Sequence, residues 1–138
     1  MSPQIPVRLI RQVRQRADDV CEYCRLPQAS QEATFHVDHV SPRSQGGSTE
    51  LANLALACVT CSLRKSARTT AADPKSGNTV ALFNPRTDDW SDHFAFTATW
   101  KVRGRTETGR ATIEALGMNR SAIIMIRREL VLLNRFPH

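Results

Sequence analysis

The chain has 138 residues, 41% of them hydrophobic and 23% charged, which is the composition of an ordinary globular protein. Its longest apolar runs are only a few residues long, and this excludes a membrane-spanning helix. The formal charge is +6, and 16 of the 19 basic residues are arginine, whose planar guanidinium suits phosphate groups. This balance favours a polyanionic partner, most often nucleic acid, although a protein that is merely basic has the same composition.

The length predicts a single domain over residues 1–138. Within it we expect a core at 18–70 and an extension at 71–138 that packs on the core, because the sequence pattern changes after residue 70. The first residues lack the apolar segment of a secretory signal, so we expect a cytoplasmic protein.

In chain order, a helix is predicted after Pro6, because apolar residues recur at helical spacing as far as Ala17. Residues 34–40 and 54–57 are each typical of a strand, and a loop with two glycines separates them. A further helix is predicted over 61–68. The core is therefore expected to contain two strands followed by a helix.

The extension is predicted to add two strands and two helices. The strands are expected at 80–83 and at 94–102, where apolar and polar residues alternate. A short helix is predicted at 110–116, and Asn119 is expected to cap a last helix that runs to about Leu133. This last helix is apolar almost all round, so we expect it to be deeply buried or to form a partner surface, such as a homodimer interface.

Four cysteines occur as two CxxC pairs, separated by 33 residues: Cys21, Cys24, Cys58 and Cys61. Two such pairs in a reducing compartment indicate a tetrahedral zinc site. A redox pair or two disulfides are the alternatives. Four thiolates would fill the zinc coordination sphere, so the zinc would be structural, with no open position for a reactive water.

Polar residues of catalytic type lie between and beside the two CxxC pairs. Asp38 and His39 are adjacent on the first predicted strand, Asn53 precedes the second strand, and Ser62 directly follows the last cysteine. Each residue alone has a structural explanation. Together they form a candidate site, because the second CxxC pair would fix the helix against the strands.

These segments resemble the HNH endonucleases. The resemblance is carried by CEYC, FHVDHVSPRSQGG, the Asn of ELANLALAC, and CVTCSLRK, and the downstream LFNPRTDDWSDHF and GRTETGRATIEALGMN resemble a bacterial subgroup. It implies an α+β fold with a ββα-metal core, in which a hairpin and a helix hold one divalent cation, Mg²⁺ or Mn²⁺. It also implies hydrolysis of DNA phosphodiester bonds, by nicking or by cutting both strands.

The resemblance also assigns roles to individual residues. His39 is the general base that deprotonates the attacking water, Asp38 is a ligand of the catalytic cation, and Asn53 orients the base. These assignments agree with the chemistry, because a neutral imidazole accepts a proton at physiological pH and a carboxylate binds hard cations.

The sequence departs from the HNH pattern at Ser62, where the family has Asn or His as the second protein ligand of the cation. In one interpretation Ser62 binds the cation, directly or through a water, and His36 or His93 assists. His36 is the first candidate, because it shares a strand face with Asp38. In the other interpretation the site is degenerate, and the protein is a zinc-stabilised module that binds DNA without cutting it.

Strict strand alternation raises one difficulty for the site, because it sends Asp38 and His39 to opposite faces. Both can reach one phosphate only if the strand ends or bulges near His39. Four cations near the site are predicted to bind DNA phosphates, the alternative being an ordinary solvated surface: Arg43, Arg64, Lys65 and Arg68.

Overall fold

The computed structural model describes residues 5–137. The helices are α1 (Val7–Ala17), α2 (Val59–Lys65), α3 (Trp90–His93), α4 (Glu107–Leu116) and α5 (Ser121–Leu132). The strands are β1 (His36–His39), β2 (Leu54–Ala57), β3 (Thr70–Ala72), β4 (Thr79–Ala81), β5 (Phe94–Phe96) and β6 (Val102–Gly104). They form three two-stranded antiparallel sheets, β1–β2, β3–β4 and β5–β6, so the predicted α+β class is confirmed. No helix within 5–137 is long and apolar enough to cross a bilayer.

The first sheet and α2 form the predicted ββα unit. In its register His36 lies opposite Ala57 and His39 lies opposite Leu54, and every residue of β2 is buried. Helix α2 begins two residues earlier than predicted, because the Cys58 sulfur accepts a hydrogen bond from the Cys61 amide and caps the helix. The second CxxC pair therefore determines where the helix of this unit begins.

Two expectations for the extension are wrong. The predicted strand at 94–102 is a hairpin, in which β5 and β6 are joined by a turn at 97–101 with Trp100 at φ +64°. Asn119 does not cap α5; its side chain instead bonds both the amide and the carbonyl of Val102. Both differences have the same origin, the β5–β6 hairpin. The alternating pattern of the sequence continues through its turn and therefore did not indicate a hairpin.

Strand β3 was not predicted from the sequence. Two of its three residues are alanines, a type that is depleted in strands, and it pairs with β4. The turn between them is held by Asp73, a fully buried carboxylate that accepts hydrogen bonds from the turn amides and pairs with Arg110. The β3–β4 sheet therefore depends on this buried carboxylate more than on strand propensity.

The extension contacts the core through polar links as well as apolar packing. The Trp90 indole donates a 2.8 Å hydrogen bond to the Tyr23 carbonyl, and Arg86 forms an ion pair with Glu22. The Phe83 ring of the extension packs edge-on against Tyr23. These contacts join residues 82–96 to the segment that holds the first CxxC pair.

Helix α5 differs from the expectation of an all-round apolar contact surface. Ile123, Arg127 and Leu130 face the interior, whereas Met125 and Leu132 are 65% and 77% exposed. The central inward residue is thus a cation.

The Arg127 side chain is fully buried, and its guanidinium binds three backbone carbonyls. The acceptors lie on different segments, at 3.1 Å for Trp100, 3.3 Å for Cys24 and 2.9 Å for Met118. Arg127 therefore ties α5 and the β5–β6 hairpin to the first CxxC pair.

Replacement of Arg127 by methionine is predicted to lower the free energy of unfolding by about 3 kcal/mol, because three buried carbonyls lose a charged donor. The neighbouring Arg128 is exposed on the same helix, and Arg128→Met should change stability by less than about 0.5 kcal/mol. Urea unfolding of both variants measures the difference. Equal stabilities for the two variants would contradict the role given to Arg127.

Candidate active site and metal centre

The four cysteines lie together in the core. Their sulfur atoms are all within 4.8 Å of one another, and all four residues are buried. The Cys24 and Cys58 sulfurs are 3.8 Å apart, which is far longer than a disulfide bond. Four thiolates about 2.3 Å from one zinc ion stand about 3.8 Å from one another, so the cluster fits a tetrahedral zinc site.

The first knuckle, residues 20–27, presents its two cysteines by a tight reversal of the chain. The Cys21 amide bonds the Leu26 carbonyl at 2.9 Å, and Arg25 takes a left-handed conformation with φ +70°. Glu22 then joins this knuckle to β2, because its amide bonds the Leu56 carbonyl and its carboxylate accepts from the Leu56 amide, each at 2.8 Å. The first knuckle and β2 therefore form one rigid support beneath the site.

Two contacts between side chains connect β1 with α2. The His36 Nδ1 atom lies 3.0 Å from the Ser62 hydroxyl, and the Lys65 ammonium lies 3.0 Å from Asp38 Oδ2. His36 and Asp38 are two residues apart on a strand, and Ser62 and Lys65 are three apart on a helix, so each pair shares a face. The two contacts thus cross the interface between β1 and α2, one joining His36 to Ser62 and the other joining Asp38 to Lys65.

His39 points toward the loop between β1 and β2, residues 40–53. Its Nε2 atom lies 2.9 Å from the Thr49 hydroxyl. The loop is closed by Asn53, whose side-chain amide donates to the carbonyls of Ser41 at 3.0 Å and Ser48 at 2.8 Å, and accepts from the Ser41 amide. Asn53 therefore fixes the loop segment that carries Thr49, the hydrogen-bond partner of the imidazole.

Gly47 makes this loop closure possible. A Cβ atom at this position would lie 1.8 Å from the Ser41 carbonyl oxygen and 2.9 Å from the Asn53 side-chain nitrogen. Only glycine lets the backbone approach so closely. The second glycine of the Gly46-Gly47 pair therefore belongs to the support of the site.

The electrostatic environment affects the two central residues differently. Burial raises the pKa of the Asp38 carboxyl, and the charge and hydrogen bond of Lys65 oppose that rise. Burial lowers the pKa of the His39 imidazole, and the positive charge of Arg43 lowers it further, whereas Asp38 acts in the opposite direction. His39 is consequently neutral at physiological pH, the state that a general base requires.

Asp38 and His39 have separate partners but remain electrostatically close. The carboxylate faces α2 and the imidazole faces the β1–β2 loop, as alternation along β1 requires. Each nevertheless shifts the pKa of the other, and β1 ends at His39. The Asp38 and His39 side chains are therefore the last two of β1, and the strand does not continue past them.

The structure brings together some of the residues predicted for the site and separates others. Arg43, Arg64 and Arg68 are exposed, whereas the Lys65 side chain is only 2% exposed, which differs from the expected surface cation. The cause is its ion pair with Asp38. His93, weighed as an assisting ligand, bonds the Thr106 hydroxyl at 2.6 Å in the extension.

Two contacts of the site were not anticipated from the sequence. Thr49 bonds His39, and the Tyr23 hydroxyl lies 3.5 Å from Asp38 Oδ2. Neither residue lies in a recognisable spacing with its partner. The tyrosine is nevertheless the residue before the second cysteine of the first knuckle, so fixing that cysteine also fixes the ring.

Comparison with known proteins identifies a family for part of the chain. Residues 21–68 match the HNH endonuclease family model. This segment is therefore an HNH family-model domain. The matched segment begins at the first cysteine of the cluster and includes β1, β2 and α2, so the resemblance stated from the sequence is confirmed for this part of the chain. Neither the curated proteins nor the solved structures compared with this chain gave a match.

Removal of one thiolate is predicted to unfold the HNH core. Zinc binding by such sites contributes about 10 kcal/mol or more to folding, which exceeds the stability of most small domains. Cys58→Ala should therefore lose the zinc and the far-UV dichroism of the folded chain, whereas Thr60→Ala, in the same helical turn, should retain both. A Cys58→Ala protein with unchanged melting temperature would contradict the structural role of the cluster.

The His39 titration is predicted to respond in opposite directions to two nearby charges. In the wild type its midpoint should lie below the usual histidine pKa of about 6.5. Arg43→Gln removes a positive charge and should raise that pKa, whereas Asp38→Asn removes a negative charge and should lower it. Histidine NMR titration measures both, with Arg8→Gln on the exposed side of α1 as the control. Shifts of the same sign in both variants would contradict the described geometry.

Proposed function

We propose that this protein is a divalent-metal-dependent HNH endonuclease that hydrolyses phosphodiester bonds of DNA, with His39 as the general base. The observation that carries the proposal is the placement of Asp38 and His39 at the end of β1, within the segment that matches the HNH family, with the carboxylate held by Lys65 and the imidazole by Thr49. An HNH domain suggests a nuclease and a nucleic acid substrate. The choice of DNA and the residue roles are our proposal.

His39 would take the proton of the attacking water. The Thr49 hydroxyl and the Asn53-closed loop hold its ring in one orientation, and the lowered pKa keeps the ring nitrogen free to accept a proton. Asn53 acts through the loop, since its side chain bonds backbone groups of Ser41 and Ser48. Its role is therefore to position the base.

Asp38, Ser62 and His36 would hold the catalytic cation, Mg²⁺ or Mn²⁺. The carboxylate and the hydroxyl are oxygen donors of the kind that such ions prefer, and all three side chains lie on β1 or α2 where these two elements contact each other. A cation bound there would supply Lewis-acid stabilisation of the scissile phosphate and of the leaving oxygen. The 3.0 Å contact between His36 and Ser62 supports the view that the imidazole compensates for the short reach of serine.

The exposed arginines would bind the DNA backbone. Arg64 and Arg68 lie at and just beyond the end of α2, and Arg43 lies near the start of the β1–β2 loop. Their charge agrees with the formal charge of +6. A homodimer through the exposed Met125 and Leu132 of α5 would place two sites on one duplex, and this assembly is the proposed route to double-strand cutting.

One observation favours a second candidate function. Ser62 replaces the amide or imidazole expected by resemblance, and Lys65 already neutralises Asp38. A zinc-stabilised DNA-binding module without hydrolytic activity would have the same two features. Cleavage assays separate the two functions.

The proposal predicts relaxation of supercoiled plasmid in the presence of Mg²⁺ or Mn²⁺ and its loss on chelation of the added cation. His39→Ala should reduce the rate by about 10² to 10⁴, the usual contribution of a general base. His93→Ala is the matched control, because that histidine bonds Thr106 in the extension, and the variant should retain cleavage. DNA binding without cleavage under every cation tested would favour the inactive module.

A further inference from the structure

Lys65 is a buried cation inside the candidate site, and the hydrolytic roles described above do not use it. Its side chain is 2% exposed, yet it lies on the same helix as the exposed Arg64. Burying an ammonium group costs several kcal/mol unless it is paired and hydrogen-bonded. A chain that places a lysine here must therefore provide specific partners for it.

Both partners of the ammonium belong to the end of β1. The Nζ atom lies 3.0 Å from Asp38 Oδ2 and donates a 3.1 Å hydrogen bond to the carbonyl oxygen of His39. Strand alternation directs the side chains of these two residues to different partners. Lys65 reaches both residues because it uses the side chain of one and the backbone of the other.

The contact with Asp38 also determines which oxygen is left for a cation. The Lys65 ammonium and the Tyr23 hydroxyl, at 3.5 Å, both lie against Oδ2. The second oxygen, Oδ1, is then the one that can bind a metal ion with a fixed orientation. The 3.0 Å contact with Lys65 restrains rotation of the carboxylate, and the longer Tyr23 contact lies on the same oxygen, so a cation would bind through the other oxygen.

We propose that Lys65 is a positioning residue of the hydrolytic site, whose ammonium group fixes Asp38 Oδ2 and the His39 carbonyl so that Asp38 offers Oδ1 to the catalytic cation. This role rests on the proposed endonuclease function. The contact with Asp38 sets the direction of the metal ligand, and the contact with the His39 carbonyl sets the strand end from which the base projects. The charge of Lys65 also repels a divalent cation, so its presence does not serve to strengthen metal binding.

The substitution that tests this role is Lys65→Met, which keeps most of the length of the side chain and removes the charge and the donors. Lys75→Met is the matched control, because Lys75 is exposed in the turn between β3 and β4. Each zinc-loaded variant is assayed at pH 8 for kcat and for the Mn²⁺ concentration that gives half-maximal cleavage. Binding of Mn²⁺ alone is measured by electron paramagnetic resonance in a His39→Ala background, without cleavage.

A positioning role predicts a split between kcat and metal binding. Lys65→Met should lower kcat by about 100-fold at saturating Mn²⁺, the order of loss expected when reacting groups are misplaced by about 1 Å. The dissociation constant of Mn²⁺ should stay within about threefold of the His39→Ala value or become tighter, because a repelling charge has been removed. Lys75→Met should match the wild type in both.

Two results overturn the proposal. One is a kcat for zinc-loaded Lys65→Met within about threefold of the wild type, which leaves Lys65 with a purely structural role. The other is a loss of Mn²⁺ affinity by more than about tenfold, which makes Lys65 part of the binding site itself. If Lys65→Met fails to retain zinc, Lys65→Arg takes its place, because a guanidinium keeps the charge but not a single nitrogen between two acceptors. The same two criteria then apply.

The outcome also separates this role from the endonuclease function. A wild-type chain that cleaves no DNA with any divalent cation removes the hydrolytic proposal, and the role of Lys65 with it. A wild type that cleaves, together with a Lys65→Met variant that cleaves equally well, removes only the role of Lys65.

Discussion

The cluster of four thiols is the constraint on which the rest of the HNH core depends. Strands β1 and β2 have four residues each and α2 has seven, too few for any of them to be stable alone. The cluster joins the first knuckle to the start of α2, and Cys58 both contributes a thiol and caps the helix. The direction in which α2 crosses β1 is thereby fixed, and the contacts of the candidate site follow from that crossing.

A second constraint acts from the other side of β1, through the loop that Asn53 closes. The helix determines where Asp38 points, and the loop determines where His39 points, so each of two adjacent residues is oriented by a different neighbour. This division corresponds to the alternation of side chains along β1. The two side chains leave the strand in different directions at its last residues, where the carboxylate still influences the imidazole and no further sheet lies between them.

The sequence predicted those features that depend on spacing along the chain. The paired cysteines, the β2 strand and the Asp-His pair are of this kind, and the family match at 21–68 agrees with them. Features that depend on tertiary contacts could not be predicted. The burial of Lys65 follows from a partner 27 residues away, and the turn at 97–101 is hidden by an alternating pattern that continues through it. Asn119 likewise bonds Val102 of the β5–β6 hairpin instead of capping α5, and this partner is distant in the sequence.

Ser62, which differs from the HNH pattern, lies one helical turn before Lys65, and Lys65 forms the ion pair with Asp38. Replacement of a buried ion pair by apolar side chains of similar size is often neutral or stabilising, so stability alone does not account for Asp38 and Lys65 at this position. The Lys65 contact and the Asn53-closed loop nevertheless hold the Asp38 carboxylate and the His39 imidazole in defined orientations. The serine at position 62 contacts His36, so it leaves these separate partners of Asp38 and His39 in place.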